Sequence, residues 1–165
     1  MTKSMTKTMA AALAACAVLG GCATQADRAP GGTAAAAACK PVSEPEIAAL
    51  FDRWNASLQT GDAHKVVANY AQKSILLPTV SNQPRLTPGE KEAYFHHFLE
   101  DGPSGHIDMR SIETGCDWAV DSGLYTFHFA KTGATVHARY TYTYRWDGAQ
   151  WLITSHHSSA MPGKP

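Results

Sequence analysis

The sequence predicts an α+β domain in which three N-terminal helices pack on one face of a curved antiparallel sheet. Two capping boxes in the first half announce helices, and a change of period to strand-like alternation marks the second half. Glycine-containing turns between the later segments complete the pattern: helices first and a meander afterwards is the α+β order.

Taken in order, Ser43-Glu44-Pro45-Glu46 is a capping box with proline in the first turn, and Ile47, Leu50, Phe51, Trp54 and Leu58 then recur at helical spacing. Gly61 is a natural stop for this helix, and Asp62 can cap a short second one carrying Val66, Val67 and Tyr70. Ser74 to Leu77 reads as a short strand ended by Pro78, followed by loop to Arg85. Thr87-Pro88-Gly89-Glu90 opens a third helix through Tyr94, Phe95, Phe98 and Leu99, which Gly102-Pro103 closes. His106 to Glu113, Trp118 to Val120, Leu124 to Phe129, Thr135 to Trp146 and Trp151 to Ser158 then read as strands. Their turns fall at Asp121-Ser122-Gly123, Lys131-Thr132-Gly133 and Asp147-Gly148.

Ahead of this domain, Lys3 and Lys7 precede the uncharged run Ala10 to Leu19, and Leu19-Gly20-Gly21-Cys22 follows directly. That order is a bacterial lipoprotein signal over residues 1–21, with Cys22 as the lipid-bearing first residue of an exported protein. The apolar run is too short to cross a hydrocarbon core that needs about 20 residues of helix. Residues 22–40, rich in Ala and Gly, read as a flexible tether, and residues 41–163 as one globular domain. The predicted address is the periplasmic face of a membrane. Ala23 lacks the aspartate that retains lipoproteins at the inner membrane, which favours the outer one.

Removing Lys3 and Lys7 leaves 12 basic against 14 acidic residues, so the mature chain is slightly acidic and carries no basic stripe for nucleic acid. With Cys22 lipidated, Cys39 and Cys116 are the pair available for a disulfide in an oxidising compartment; the alternative is a buried thiol and an unpaired tether cysteine. No Cys/His spacing supports a metal, and no motif binds a nicotinamide or flavin, so no cofactor is expected.

The stretches LFDRWNASLQTGDAHKVVANYAQKSILLP, YFHHFL and ARYTYTYRWDGAQWLITSHHSSAMP resemble the association domain of calcium/calmodulin-dependent protein kinase II in its free-standing bacterial form. That family lies within the nuclear-transport-factor-two-like, or SnoaL-like, superfamily, and similar sequences carry the label SgcJ/EcaC. The resemblance implies a cone-shaped barrel with a pocket between helices and sheet, oligomerisation through the sheet, and binding of small carboxylates. No kinase motif is present. Where the kinase branch carries arginines, this chain has Tyr125 and Ser158, which offer neutral hydrogen bonds. Superfamily isomerases use a tyrosine where Trp54 stands, and an aspartate base where this chain has Leu77, Pro78 and Thr79, which disfavours that chemistry.

Strand alternation places Arg139, Thr141, Thr143 and Arg145 on one face and Tyr140, Tyr142, Tyr144 and Trp146 on the other. If the pocket takes the Arg139 face, Arg139 is a permanent cation suited to a carboxylate, and Tyr140, Tyr142 and Tyr144 form an outer dimer interface. The other arrangement puts the tyrosines in the core and Arg139 in solvent. His156 and His157 are adjacent on a strand and point to opposite faces, so they cannot chelate one ion together, and one of them can face the pocket. His96, His97, His128 and His137 carry no such pattern.

The expectation is a lipid-anchored, oligomerising, non-catalytic domain. Its pocket holds Trp54, Tyr125, Arg139, His156 or His157, and Ser158, accepting a small polar or acidic organic ligand. The alternatives are a SnoaL-like enzyme with a histidine base and Arg139 on a developing oxyanion, or a structural interaction module of the envelope.

Overall fold

The computed structural model describes residues 39–163. The signal segment, Cys22 and most of the tether lie outside the described residues. Helix α1 (Glu44–Leu58) starts where Ser43 donates both its backbone N–H and its hydroxyl to the Glu46 carboxylate, each at 2.9 Å. Gly61, at φ +66°, turns the chain out of the helix, and Asp62 accepts from the His64 and Lys65 N–H groups to open α2 (Ala63–Val67). Then follow β1 (Tyr70–Leu77), α3 (Pro88–Leu99), β2 (Pro103–Thr114), β3 (Trp118–Phe129), β4 (Thr135–Trp146) and β5 (Trp151–Ala160). Thr87 and Glu90 form the predicted second capping box, and Gly102, at φ +62°, ends the exit from α3.

The five strands form one sheet in the order β1-β5-β4-β3-β2, and β2 to β5 are successive antiparallel neighbours. The first strand differs from the sequence expectation in two ways. It begins at Tyr70, which helical spacing had assigned to the second helix, and it runs parallel to β5. The sheet is therefore mixed, with β1 and β2 as edges, and pairing of Tyr70 with Ile153 supplies the hydrogen bonds that helical continuation would have supplied.

Asp121-Ser122-Gly123 is not a turn: these residues lie inside β3, which runs unbroken for 12 residues. Gly123 pairs with Arg110, just beyond a bulge in β2 between Ile107 and Met109, and a Cβ there would run into the Met109 carbonyl oxygen. Asp121 is fully buried, accepts from Tyr140 Oη at 2.8 Å and pairs with Arg110 Nε at 3.1 Å. Turn-forming residue types are thus used here for close approach and for a buried ion pair. Burial raises the Asp121 carboxyl against the opposing pull of Tyr140 and Arg110.

The apolar stripe of α1 is buried along its whole length, and it meets β4. Along β4, Ala138, Tyr140, Tyr142 and Tyr144 are buried while Arg139 and Arg145 are exposed. The tyrosine row is therefore core, and it is not an outer interface. Phe51 packs within 6.5 Å of both the Tyr140 and Tyr142 rings. Burying three aromatic rings removes far more apolar area from water than burying Arg139 and two threonines would, and that difference decides which face meets the helices. At the far end of the sheet Cys39 and Cys116 are joined as a disulfide with a Cα separation of 4.7 Å, and Lys40 N–H donates to the Cys116 carbonyl at 3.1 Å.

Candidate functional site

Between α3 and the sheet lies a cavity of about 600 Å³. Its body is aromatic and aliphatic, with Phe95 and Phe98 from α3 facing Phe127 and Phe129 from β3. Strand periodicity brings Tyr125, Phe127 and Phe129 to one face, and a phenylalanine pair on α3 lies over them. Val80, His97 and Asp101 stand at the exposed rim.

Of the sequence-predicted pocket residues, Trp54, Tyr125, His156 and Ser158 line this cavity. Arg139 does not: it is exposed on the opposite face of β4, where its guanidinium lies 3.4 Å from the Ala160 carbonyl. His157 is also exposed and outside the lining, as the two-residue strand period requires once His156 points inward. Trp54 lines the wall, but its indole N–H is committed to Tyr70 Oη at 3.2 Å.

Three hydroxyls form a chain in the wall. Tyr125 donates to Ser158 Oγ at 2.5 Å, and Ser158 Oγ and Thr79 Oγ1 share a second hydrogen bond. Three hydroxyl protons serve two bonds, so one proton, on Ser158 or Thr79, remains to be donated elsewhere. Burial raises the Tyr125 hydroxyl well above its ordinary value, so it titrates only far above neutrality.

His156 sits beside this chain. It is 4% exposed, stacks on Tyr142 with ring centroids 4.1 Å apart, and makes a hydrogen bond between Nδ1 and Tyr70 Oη at 2.8 Å. Its Nε2 has no partner. Burial, with a smaller contribution from His157, lowers its pKa from 6.5 to about 3, so the ring is neutral at physiological pH.

The cation at the cavity is Arg85, in a segment the sequence reads only as loop. That segment folds back on β1: Leu76 and Arg85 exchange backbone hydrogen bonds at 3.0 and 2.9 Å. Lys91, 1% exposed, donates to the Ser74 and Leu86 carbonyls at 2.9 and 3.1 Å and so ties α3 to both β1 and this loop. Arg85 donates from Nη2 to Ser81 Oγ at 3.1 Å, its Nε is buried without a partner, and it makes no ion pair among the described residues. Arg85, Thr79 and Tyr70 are the site residues that sequence reasoning missed. Tyr70 was hidden by the helical spacing of its neighbours; for Arg85 and Thr79 no local signal exists, because a bridge to Leu76 and the return of β5 bring them in. Among the described residues no cluster of His, Cys, Asp and Glu could hold a metal ion.

Helices on one face of a curved sheet, with a cavity between them, make up the fold class that this chain shares with solved nuclear-transport-factor-two-like proteins, such as one from Pseudomonas putida at 19% identity over 74% and 89% of the chains and a TM-score of 0.65. Within that class, the profile described as the calcium/calmodulin dependent protein kinase II association domain matches residues 43–162, and the chain belongs to that family. It is 48% identical to a candidate association-domain protein from Xanthomonas campestris, over 74% of this chain and 90% of that one, with a TM-score of 0.71. Its fold is also similar to that of a cyanobacterial iota-carbonic anhydrase complexed with bicarbonate, at 18% identity over 74% and 94% of the chains and a TM-score of 0.66. A candidate dehydratase from Streptomyces avermitilis shares the fold at 10% identity over 72% and 96%, with a TM-score of 0.65. No curated protein matches the chain.

Proposed function

We propose that the domain is an exported, lipid-anchored binding module whose cavity takes a small organic molecule with an apolar body and an oxygen acceptor at one end. The observation that carries this is the hydroxyl chain of Tyr125, Ser158 and Thr79, which has one proton to give, set in a largely aromatic and aliphatic wall. A carboxylate or carbonyl oxygen satisfies that proton, and the flanking phenylalanines cover the rest of the ligand. Arg85 supplies charge complementarity at the same cavity. No carboxylate other than the rim residue Asp101 lines the wall, which disfavours a cationic ligand.

The lipid anchor at Cys22 and an outer-membrane address are the part of this reading carried by the sequence alone. Self-association through the sheet is retained with its surface moved: with Tyr140, Tyr142 and Tyr144 in the core, a second copy would meet the face of Arg139, Thr141, Thr143 and Arg145. Light scattering that returns a monomer at micromolar concentration would sink this part.

A thermal-shift series with phenylacetate, benzoate, bicarbonate and benzylamine tests the pocket. The two aromatic carboxylates should raise the melting temperature and benzylamine should not, and Ser158→Ala should shrink the carboxylate effect. Stabilisation by benzylamine equal to that by benzoate would refute the proposal. Bicarbonate is in the series because the iota-carbonic anhydrase of similar fold was solved with it.

A further inference from the structure

We infer that Trp54 and Tyr70 are positioning residues that hold His156 in the tautomer with its proton on Nε2, so that the unpartnered nitrogen of this cavity-lining ring is a hydrogen-bond donor. The starting point is the direction of each hydrogen bond. The Trp54 indole can only donate, so at 3.2 Å Tyr70 Oη accepts from it. The Tyr70 hydroxyl has one proton of its own, and the only other partner it makes among the described residues is His156 Nδ1, at 2.8 Å. Donation from Tyr70 to Nδ1 uses that proton, and a neutral imidazole that accepts at Nδ1 carries its hydrogen on Nε2.

The opposite assignment fails on a count of unsatisfied groups. Were Nδ1 protonated, Tyr70 Oη would accept from both Trp54 and His156, and its own proton would point at no acceptor. Nε2 would also remain a bare lone pair, giving two stranded groups in a site where Tyr70 is 6% and His156 4% exposed. In the assigned tautomer the sole stranded group is Nε2–H, and it belongs to a ring that lines the cavity. Among the described residues no carboxylate hydrogen-bonds to this ring or to Tyr70, so none of them stabilises the doubly protonated form.

The consequence deepens the proposed function and rests on it: Nε2 is itself buried, and a ligand end that reaches it from the cavity would meet a second donor beside the spare hydroxyl proton of the Thr79–Ser158 pair. This arrangement favours a ligand end with two acceptor positions over one that offers only N–H groups. The residues that enforce this touch the ligand through His156 alone, in the case of Tyr70, or one bond further back, in the case of the Trp54 indole N–H.

Long-range proton–nitrogen correlation spectra of the protein labelled at histidine nitrogens test the inference without any ligand, the His156 signals being assigned by their loss in His156→Gln. At pH 7 the wild type should show a protonated Nε2 and a bare Nδ1. Tyr70→Phe should turn this into a tautomer mixture, and Trp54→Phe, which leaves Tyr70 Oη open to accept from Nδ1, should do so in part and serves if the Tyr70 variant does not fold. A protonated Nδ1 in the wild type, or an unchanged spectrum in both variants, overturns the inference. If the tautomer is as assigned and no carboxylate shifts the melting temperature, the binding reading falls and the relay stands; if carboxylates bind and Nδ1 is protonated, the relay falls alone.

Discussion

Replacing His156 by glutamine should flatten the acid side of the stability profile. The ring is 4% exposed and its pKa in the fold is about 3, against an ordinary 6.5, chiefly because burial penalises the charged form. A lowered histidine pKa means that the unfolded chain takes up a proton before the folded one does. The stabilisation is therefore complete above pH 6.5 and is lost progressively as the pH falls toward about 3. At about 1.4 kcal/mol per pH unit, the loss between pH 7.5 and pH 5 is about 2 kcal/mol, and the whole window holds about 5 kcal/mol. Urea unfolding of wild type and His156→Gln at pH 7.5, 6 and 5 measures it. The wild type should lose about 2 kcal/mol more than the variant over that interval. The raised carboxyl of Asp121 acts in the opposite sense at the acid end and is common to both proteins, so it cancels in the difference. Parallel profiles for the two proteins would refute the burial argument and show that water reaches the ring.

Three further outcomes follow from the same contacts. Gly123→Ala drives a Cβ into the Met109 carbonyl of the neighbouring β2 and should destabilise the domain by about 3 kcal/mol or more in chemical denaturation, whereas a surface glycine such as Gly89, with open space around it, should tolerate alanine with little change. Cys39→Ser removes a cross-link that closes a sequence separation of 77 residues and should cost about 4 kcal/mol by loop entropy, read as a lower urea midpoint that reductant no longer moves. Arg85→Ala should weaken the benzoate-induced thermal shift while Arg139→Ala leaves it intact; the reverse result would return Arg139 to the site.

Most of the fold is legible in local chemistry. The capping boxes at Ser43 and Thr87 fix helix starts because the first backbone N–H groups need acceptors nearby in sequence, and the turn glycines Gly133 and Gly148 reach φ values of +71° and +105° that other residues avoid. Alternation along β4 separates the two faces just as firmly. Local chemistry fails where a residue serves a distant partner: Asp121 and Gly123 look like a turn until Arg110, Tyr140 and the Met109 bulge are beside them, and Tyr70 looks helical until β5 returns to pair with it.

The sequence by itself determined the helix starts, the antiparallel succession of strands after α3 and the division of β4 into an aromatic and a basic face, since each depends on residues within a few positions of one another; the family showed in longer stretches of the chain. What covers the aromatic face was decided only by the tertiary structure, because a helix or a second copy could bury the same apolar area: α1 covers the tyrosines, so Arg139 goes to solvent and Arg85 stands at the cavity. The pairing of His156 with Tyr70 and of Ser158 with Thr79 was settled the same way. Sequence separations of 86 and 79 residues are bridged there by a parallel strand pairing that no local pattern encodes.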